Sequence, residues 1–241
     1  MNTLRAIACA GATLILAACS TLSHQPAASR LPMPRPYRLL LVRPDIQVRQ
    51  LTADGALSFR EDWTDAARLA VAEQLQRVLT GRAGGNVDVV RSEAVNADAA
   101  LVAELHLRHD ALGKMLPRPK TVGRSLGDAA TDLSKGTHGE LLYVMHADFT
   151  VRTTGRKTLI GIGMVGCSLL QTAVLGGVGN CRNPDAGDQS AFASLIDGQT
   201  GEILWTTVVT SGVGDPRHAP GAQRLAKALT RRLPDLKPAR R

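Results

Sequence analysis

The sequence predicts an α+β domain: a mostly antiparallel mixed sheet with helices packed on one face. Three observations predict it. Several short segments alternate apolar and polar residues with period two and are bounded by Gly, Pro or Asp-Gly, the pattern of strands. Two other segments repeat apolar residues at helical spacing. These strands and helices mix without the regular βαβ alternation of a doubly wound fold.

The chain opens with Arg5 followed by a run of small and aliphatic residues over 6–18. Such a run is too short for a stable membrane span but suits the core of a signal peptide. Leu16-Ala17-Ala18-Cys19 resembles the lipobox of bacterial lipoproteins. The resemblance implies a signal over 1–18, cleavage before Cys19, a diacylglyceryl group on its thiol and a palmitate-type acyl chain on its amine. At about 0.8 kcal/mol per buried methylene, several chains make a durable anchor. Ser20, where an Asp would favour inner-membrane retention, implies the periplasmic face of the outer membrane. Residues 19–36 are rich in Ser, Pro and Ala and cannot bury a core, so they read as a flexible tether.

A single domain is expected over 37–234, followed by a basic tail at 235–241. Residues 37–42 form an apolar run that reads as a buried strand. Residues 48–52 and 56–59 flank Asp54-Gly55, a hairpin signal. Asp62 or Thr64 caps a helix with Trp63, Ala67, Val71, Leu75, Val78 and Leu79 on one face, and Gly81 marks its end. Residues 87–90 read as a short strand. Over 99–110, Leu101, Ala103, Leu105 and Leu107 alternate with Val102, Glu104, His106 and Arg108, which predicts a half-buried strand. A long polar connection at 113–139 has room for a helical turn or two around 125–133. Residues 141–152 alternate again, with His146, Asp148, Thr150 and Arg152 on one face. Residues 191–196 and 203–209 form a hairpin around Asp197-Gly198-Gln199-Thr200-Gly201, and Pro220 opens a helix striped by Leu225, Ala228, Leu229 and Leu233.

Residues 158–180 contain no Asp, Glu, Lys or Arg, and the segment is long enough to cross a bilayer. Membrane insertion, an interface using Ile160, Met164, Val165 and Val174, and a core strand followed by a Gly-rich loop are the three readings. Insertion would make the protein an oligomeric pore-forming component. Cys167 and Cys181 close this region; in an oxidising periplasm they either form a disulfide or remain two buried thiols.

The net charge of +8 suggests anionic neighbours such as lipid headgroups. Export argues against nucleic acid, and aromatics at 3% are too few for a stacking platform. No cofactor, metal or catalytic set emerges. His106-x-x-His109 would lie on opposite faces of its expected strand. Gly161-x-Gly163-x-x-Gly166 lacks the strand and acidic residue of a dinucleotide site. Asp148 and His146 share a strand face and could pair. An enzyme would need a pocket that gathers His106, His146 or Asp148. One Thr-Gly-Glu-Ile-Leu-Trp string, at 200–205, is too few copies for a propeller.

Val42-Arg43-Pro44-Asp45, Leu51-Thr52-Ala53-Asp54-Gly55 and Asp62-Trp63-Thr64-Asp65-Ala66-Ala67-Arg68 resemble a group of uncharacterised proteobacterial outer-membrane lipoproteins. Ala193-Ser194-Leu195-Ile196-Asp197 through Trp205 resembles the late hairpin of the same group. More distantly, the layout is similar to lipoprotein domains of the curli-secretion-channel and penicillin-binding-protein-activator type. One extra residue before Thr200 loosens the match at the Asp-to-Trp turn. The resemblance implies a non-enzymatic envelope assembly or regulatory role through a protein partner or a homo-oligomer, with no catalytic residues to transfer.

Overall fold

The computed structural model describes residues 37–52, 54–83, 87–114, 121–152, 189–210, 212–234 and 236. The described elements run β1 (Tyr37–Leu41), β2 (Asp45–Leu51), β3 (Leu57–Phe59), α1 (Glu61–Ala83), β4 (Val87–Arg91), a 3-10 turn (Ser92–Val95), α2 (Ala99–Gly113) and α3 (Asp128–Thr137). They continue with β5 (Leu141–Arg152), β6 (Gln189–Asp197), β7 (Ile203–Val209) and α4 (Ala219–Thr230).

Strand β5 organises the sheet. Along one edge it pairs in parallel with β1 and then with β2; along the other it pairs antiparallel with β6. Outside these lie β4, parallel to β1, and the antiparallel β3 and β7. The α+β class and the mixed sheet are as the sequence predicts. Both expected hairpins are present. Gly55 takes the left-handed φ of 91° that the β2–β3 turn requires. The Asp197 carboxylate closes the β6–β7 turn by accepting from the N–H groups of Gln199 and Thr200 at 2.7 and 3.2 Å.

Successive residues of a strand point to opposite faces, so the unbroken runs Leu39-Leu40-Leu41-Val42 and Leu141-Leu142-Tyr143-Val144-Met145 demand cover on both sides. Leu39, Leu41, Tyr143, Met145 and Trp205 pack under α1 and α4. Leu40, Val42, Leu142, Val144, Ile196 and Ile203 pack under Leu105 of α2 and Ala129, Ala130 and Leu133 of α3. Helices therefore cover both faces of the sheet rather than one.

The reason is α2, where a strand was expected. Asp98 caps it, accepting from the N–H groups of Ala100 and Leu101 at 2.8 and 3.4 Å. Ala, Leu and Glu behind the cap favour a helix. Its buried residues are Leu105 and His109, four apart, while Leu107 is 71% exposed. The apparent alternation was a coincidence of composition. Likewise, part of the long polar connection is the two-and-a-half-turn α3, capped at its end by His138 in the left-handed region. No helix among the described residues is long and apolar enough to cross a membrane.

Candidate functional site: the β-bulge groove beneath α2

Leu41 lies opposite Tyr143, but Asp45 lies opposite His146. Residues 42–44 thus face only Val144 and Met145, which makes a β-bulge between β1 and β2. The extra residue reverses the strand's parity. Before it, Leu39 and Leu41 face the α1–α4 side; after it, Ile46 and Val48 do. Asp45 and Gln47 are thereby turned to the α2 side, where β5 presents His146 and Asp148.

The bulge backbone is pinned from two elements. Arg43 N–H donates to Ser92 Oγ at 2.9 Å, and His106 Nε2 of α2 donates to the Arg43 carbonyl at 2.8 Å. A carbonyl only accepts, so Nε2 holds the imidazole proton and Nδ1 is a bare lone pair. That Nδ1 is buried without a partner among the described residues. Burial lowers the His106 pKa, against the pull of Asp45 and the Arg43 carbonyl, and keeps the ring neutral.

His146 has the opposite environment. Its Nδ1 donates to Asp45 Oδ2 at 2.9 Å and its Nε2 to Asp148 Oδ2 at 3.3 Å, with Asp110 Oδ1 of α2 at 3.6 Å. Burial pulls its pKa down, but the hydrogen bonds to Asp148 and Asp45 and the charges of Asp45 and Asp110 outweigh it, raising the pKa to about 9. Asp45 and Asp148 are both lowered, chiefly by hydrogen bonding to His146. Each carboxylate also has a second cation: Arg68 at 3.7 Å for Asp45, Arg49 at 3.0 Å for Asp148, and Lys114 at 2.5 Å for Asp110. One imidazolium thus ties β2, β5 and α2 together.

His109 completes the α2 contact. Its Nε2 lies 2.9 Å from Ser194 Oγ of β6, and its ring stacks on Phe192 at 4.4 Å. Full burial drives its pKa down to about 3, so it is neutral. Ser194 is fully buried too, and among the described residues no carboxylate meets His109 Nδ1. The pair is a packing hydrogen bond in the core, closed to substrate.

Between α2, the 3-10 turn and the bulge runs an open groove of about 700 Å³. Ala99, Val102, Ala103, His106, Leu107 and Asp110 supply its helical wall. From Ala99 to Asp110 that stripe runs roughly 16 Å, at about 1.5 Å per residue. The facing wall carries Arg43, Gln47, Glu93 and Asn96. A smaller cavity of about 310 Å³ lies beyond the Asp110–His146 contact, lined by Lys114, Asp148 and Phe192. Among the described residues, the side chains of Arg43, Gln47 and Asn96 make no hydrogen bond or ion pair, and no cluster of three or more His, Cys, Asp or Glu suits a metal ion.

The structure brings His146 to Asp148 as the strand pattern allows, and gathers His106 and His146 into one groove. His106 and His109 lie on a helix and both reach toward the sheet, rather than on opposite faces of a strand; each is engaged by a different partner. Sequence reasoning missed Asp45, Asp110, Arg43 and the groove itself. The Asp98 cap was the local signal that would have exposed α2 and, with it, Asp110. Cys19, Cys167, Cys181, Ile160, Met164, Val165 and Val174 lie outside the described residues, as do the signal, the tether and all of 158–180.

No family model matches the sequence, and no curated protein does. Among solved structures, the chain is similar to a PelC dodecamer from Paraburkholderia phytofirmans, at 12% identity over 89% of this chain and 98% of that one, with a TM-score of 0.39. It is also similar to the LpoB C-terminal domain from Escherichia coli, at 14% identity over 76% and 90%, with a TM-score of 0.30. The LpoB C-terminal domain from Salmonella enterica gives 18% identity over 74% and 84%, with a TM-score of 0.25. Likeness of this strength leaves the functional argument to the chain's own residues.

Proposed function

We propose that this chain is a lipid-anchored envelope protein of the outer membrane whose domain binds a segment of a partner protein in the groove beneath α2, without catalysing a reaction on it. One observation carries the binding reading: the groove's reactive groups are engaged inward, while its hydrogen-bonding groups face outward unpaired. His146 has both ring nitrogens on carboxylates, and His106 spends Nε2 on the Arg43 carbonyl and buries Nδ1. Neither offers a free base. Among the described residues Arg43, Gln47 and Asn96 line the groove without side-chain partners, opposite the apolar Val102, Ala103 and Leu107. A guanidinium, two amides and an aliphatic stripe match an extended peptide, which presents carbonyls, N–H groups and side chains in turn. A stripe of roughly 16 Å accommodates about five extended residues at 3.3 Å each.

The anchor rests on Leu16-Ala17-Ala18-Cys19. Full-length protein labelled with tritiated palmitate in cells is expected to lose the label on Cys19→Ala and to be washed from the membrane fraction by high salt, which leaves the wild type in place. For the groove, Ala103→Trp fills the apolar wall and Arg43→Glu reverses its free charge. Each is expected to abolish co-isolation of a cross-linked partner, while Lys135→Gln on α3 leaves it intact. Retention of the partner by both groove variants, with normal folding, would overturn the reading.

A further inference from the structure

Helix α4 buries Ala222, Leu225, Ala226 and Leu229 against the sheet and exposes the opposite face. That face is basic. Residues 216–234 contain no Asp or Glu, and Lys227, Arg231 and Arg232 are exposed at the end of the helix. Among the described residues their side chains make no ion pair or hydrogen bond. The nearby cations of α1 are occupied: Arg82 donates to the Leu233 carbonyl at 2.9 Å and Arg77 to Gln74 Oε1 at 2.8 Å. Cations at a helix C-terminus complement its dipole, which accounts for favourable placement of a charge in the last turn. It does not require two further exposed cations, Arg231 and Arg232, between the helix and the next acid, Asp235.

A second observation places this face. The chain after α4 folds back, burying Leu233 and Leu236, and Tyr37 Oη donates to the Leu236 carbonyl at 3.1 Å. The first residue of β1 therefore meets the segment that follows Arg232. Whatever precedes Tyr37 joins the domain at the basic corner.

We infer that the exposed end of α4, with Lys227, Arg231 and Arg232, lies against the anionic phospholipid headgroups of the membrane that holds the chain. The lipid then supplies attachment and α4 supplies orientation, with the tether drawing in the corner that already bears the matching charge. Taken as the tether that its composition implies, 19–36 would span roughly 20–25 Å as a random coil, short enough to keep that corner close to the surface. The inference rests on the lipid-anchor reading, so its test separates the two.

The mature chain from residue 19 onward, without the signal and carrying Cys19→Ala, is mixed with vesicles of phosphatidylethanolamine and phosphatidylglycerol, or of neutral phosphatidylcholine, and sedimented at roughly physiological salt. Binding to the anionic vesicles is expected to exceed binding to the neutral ones and to fall as salt rises. Lys227→Gln with Arg231→Gln should weaken it about 25-fold, at roughly five-fold per charge near the surface. Lys227→Arg with Arg231→Lys should retain it. Arg124→Gln with Lys135→Gln, which removes as many charges from the α3 side, should leave it within about two-fold. Equal losses from the two Gln pairs, equal binding to both vesicle types, or preferential binding to purified peptidoglycan would overturn the inference. Palmitate labelling of the wild-type chain reads the anchor independently: a chain without label but with α4-dependent vesicle binding would sink only the anchor.

Discussion

His146→Gln is the substitution that most directly tests the ion cluster beneath α2. The wild-type imidazolium bridges Asp45, Asp148 and Asp110, and its pKa is raised to about 9 from an ordinary 6.5. A group raised on folding contributes fully below its unfolded pKa and loses that contribution as pH climbs through its folded one. The stabilisation is thus complete below about pH 6.5 and gone above about pH 9. The raw shift corresponds to about 3 kcal/mol, but the ring is only partly buried, and solvent screening reduces this to about 1–2 kcal/mol. The remaining cluster limits the damage further, since Arg68, Arg49 and Lys114 each still pair one carboxylate. Urea denaturation of the domain at pH 6, 7.5 and 9.5 would measure it. Wild-type stability should fall by about 1–2 kcal/mol across that range, while His146→Gln starts lower by that amount and changes little. Parallel slopes for the two proteins, or a wild type indifferent to alkaline pH, would refute the assignment of His146 as the charged bridge.

Three further outcomes follow from packing. Asp98→Ala removes the α2 cap and should cost about 1 kcal/mol in urea denaturation, with Asp98→Asn recovering most of it. Leu105 is fully buried between α2 and the sheet, so Leu105→Ala should cost about 2–5 kcal/mol and raise amide exchange selectively in α2. At Gly221, a Cβ would collide with the Asp215 carbonyl, which is backbone and cannot swing aside. Gly221→Ala should therefore lower stability by at least about 1–3 kcal/mol, although alanine is the better helix former.

Strands β1, β5, β6 and β7 and helices α1 and α4 were legible because each is an apolar run or follows one periodicity beside a Gly, Pro or Asp-Gly signal. The site was not, for two physical reasons. Residues 101–108 satisfy a period-two count by accident, and only the Asp98 cap and the Ala-Leu-Glu composition distinguish the helix. The bulge at 42–44 is invisible to periodicity, because it depends on how β1 and β2 share β5 as a partner. Without it, Asp45 would be assigned to the wrong face and would never meet His146. The His146–Asp148 pair needed only strand alternation and could be read directly. Asp110, from an element misread as a strand, could not.

On the proposed function, the groove beneath α2 holds a partner's peptide segment. A photo-cross-linking amino acid in place of Leu107, in the full-length protein in living cells, tests it most directly, with the same substitution at Glu73 on the exposed side of α1 as reference. The expected result is one defined adduct from position 107 that is absent from position 73 and disappears when Ala103→Trp fills the groove. No adduct at 107 beyond that at 73, or one that persists in the Ala103→Trp protein, would contradict the claim.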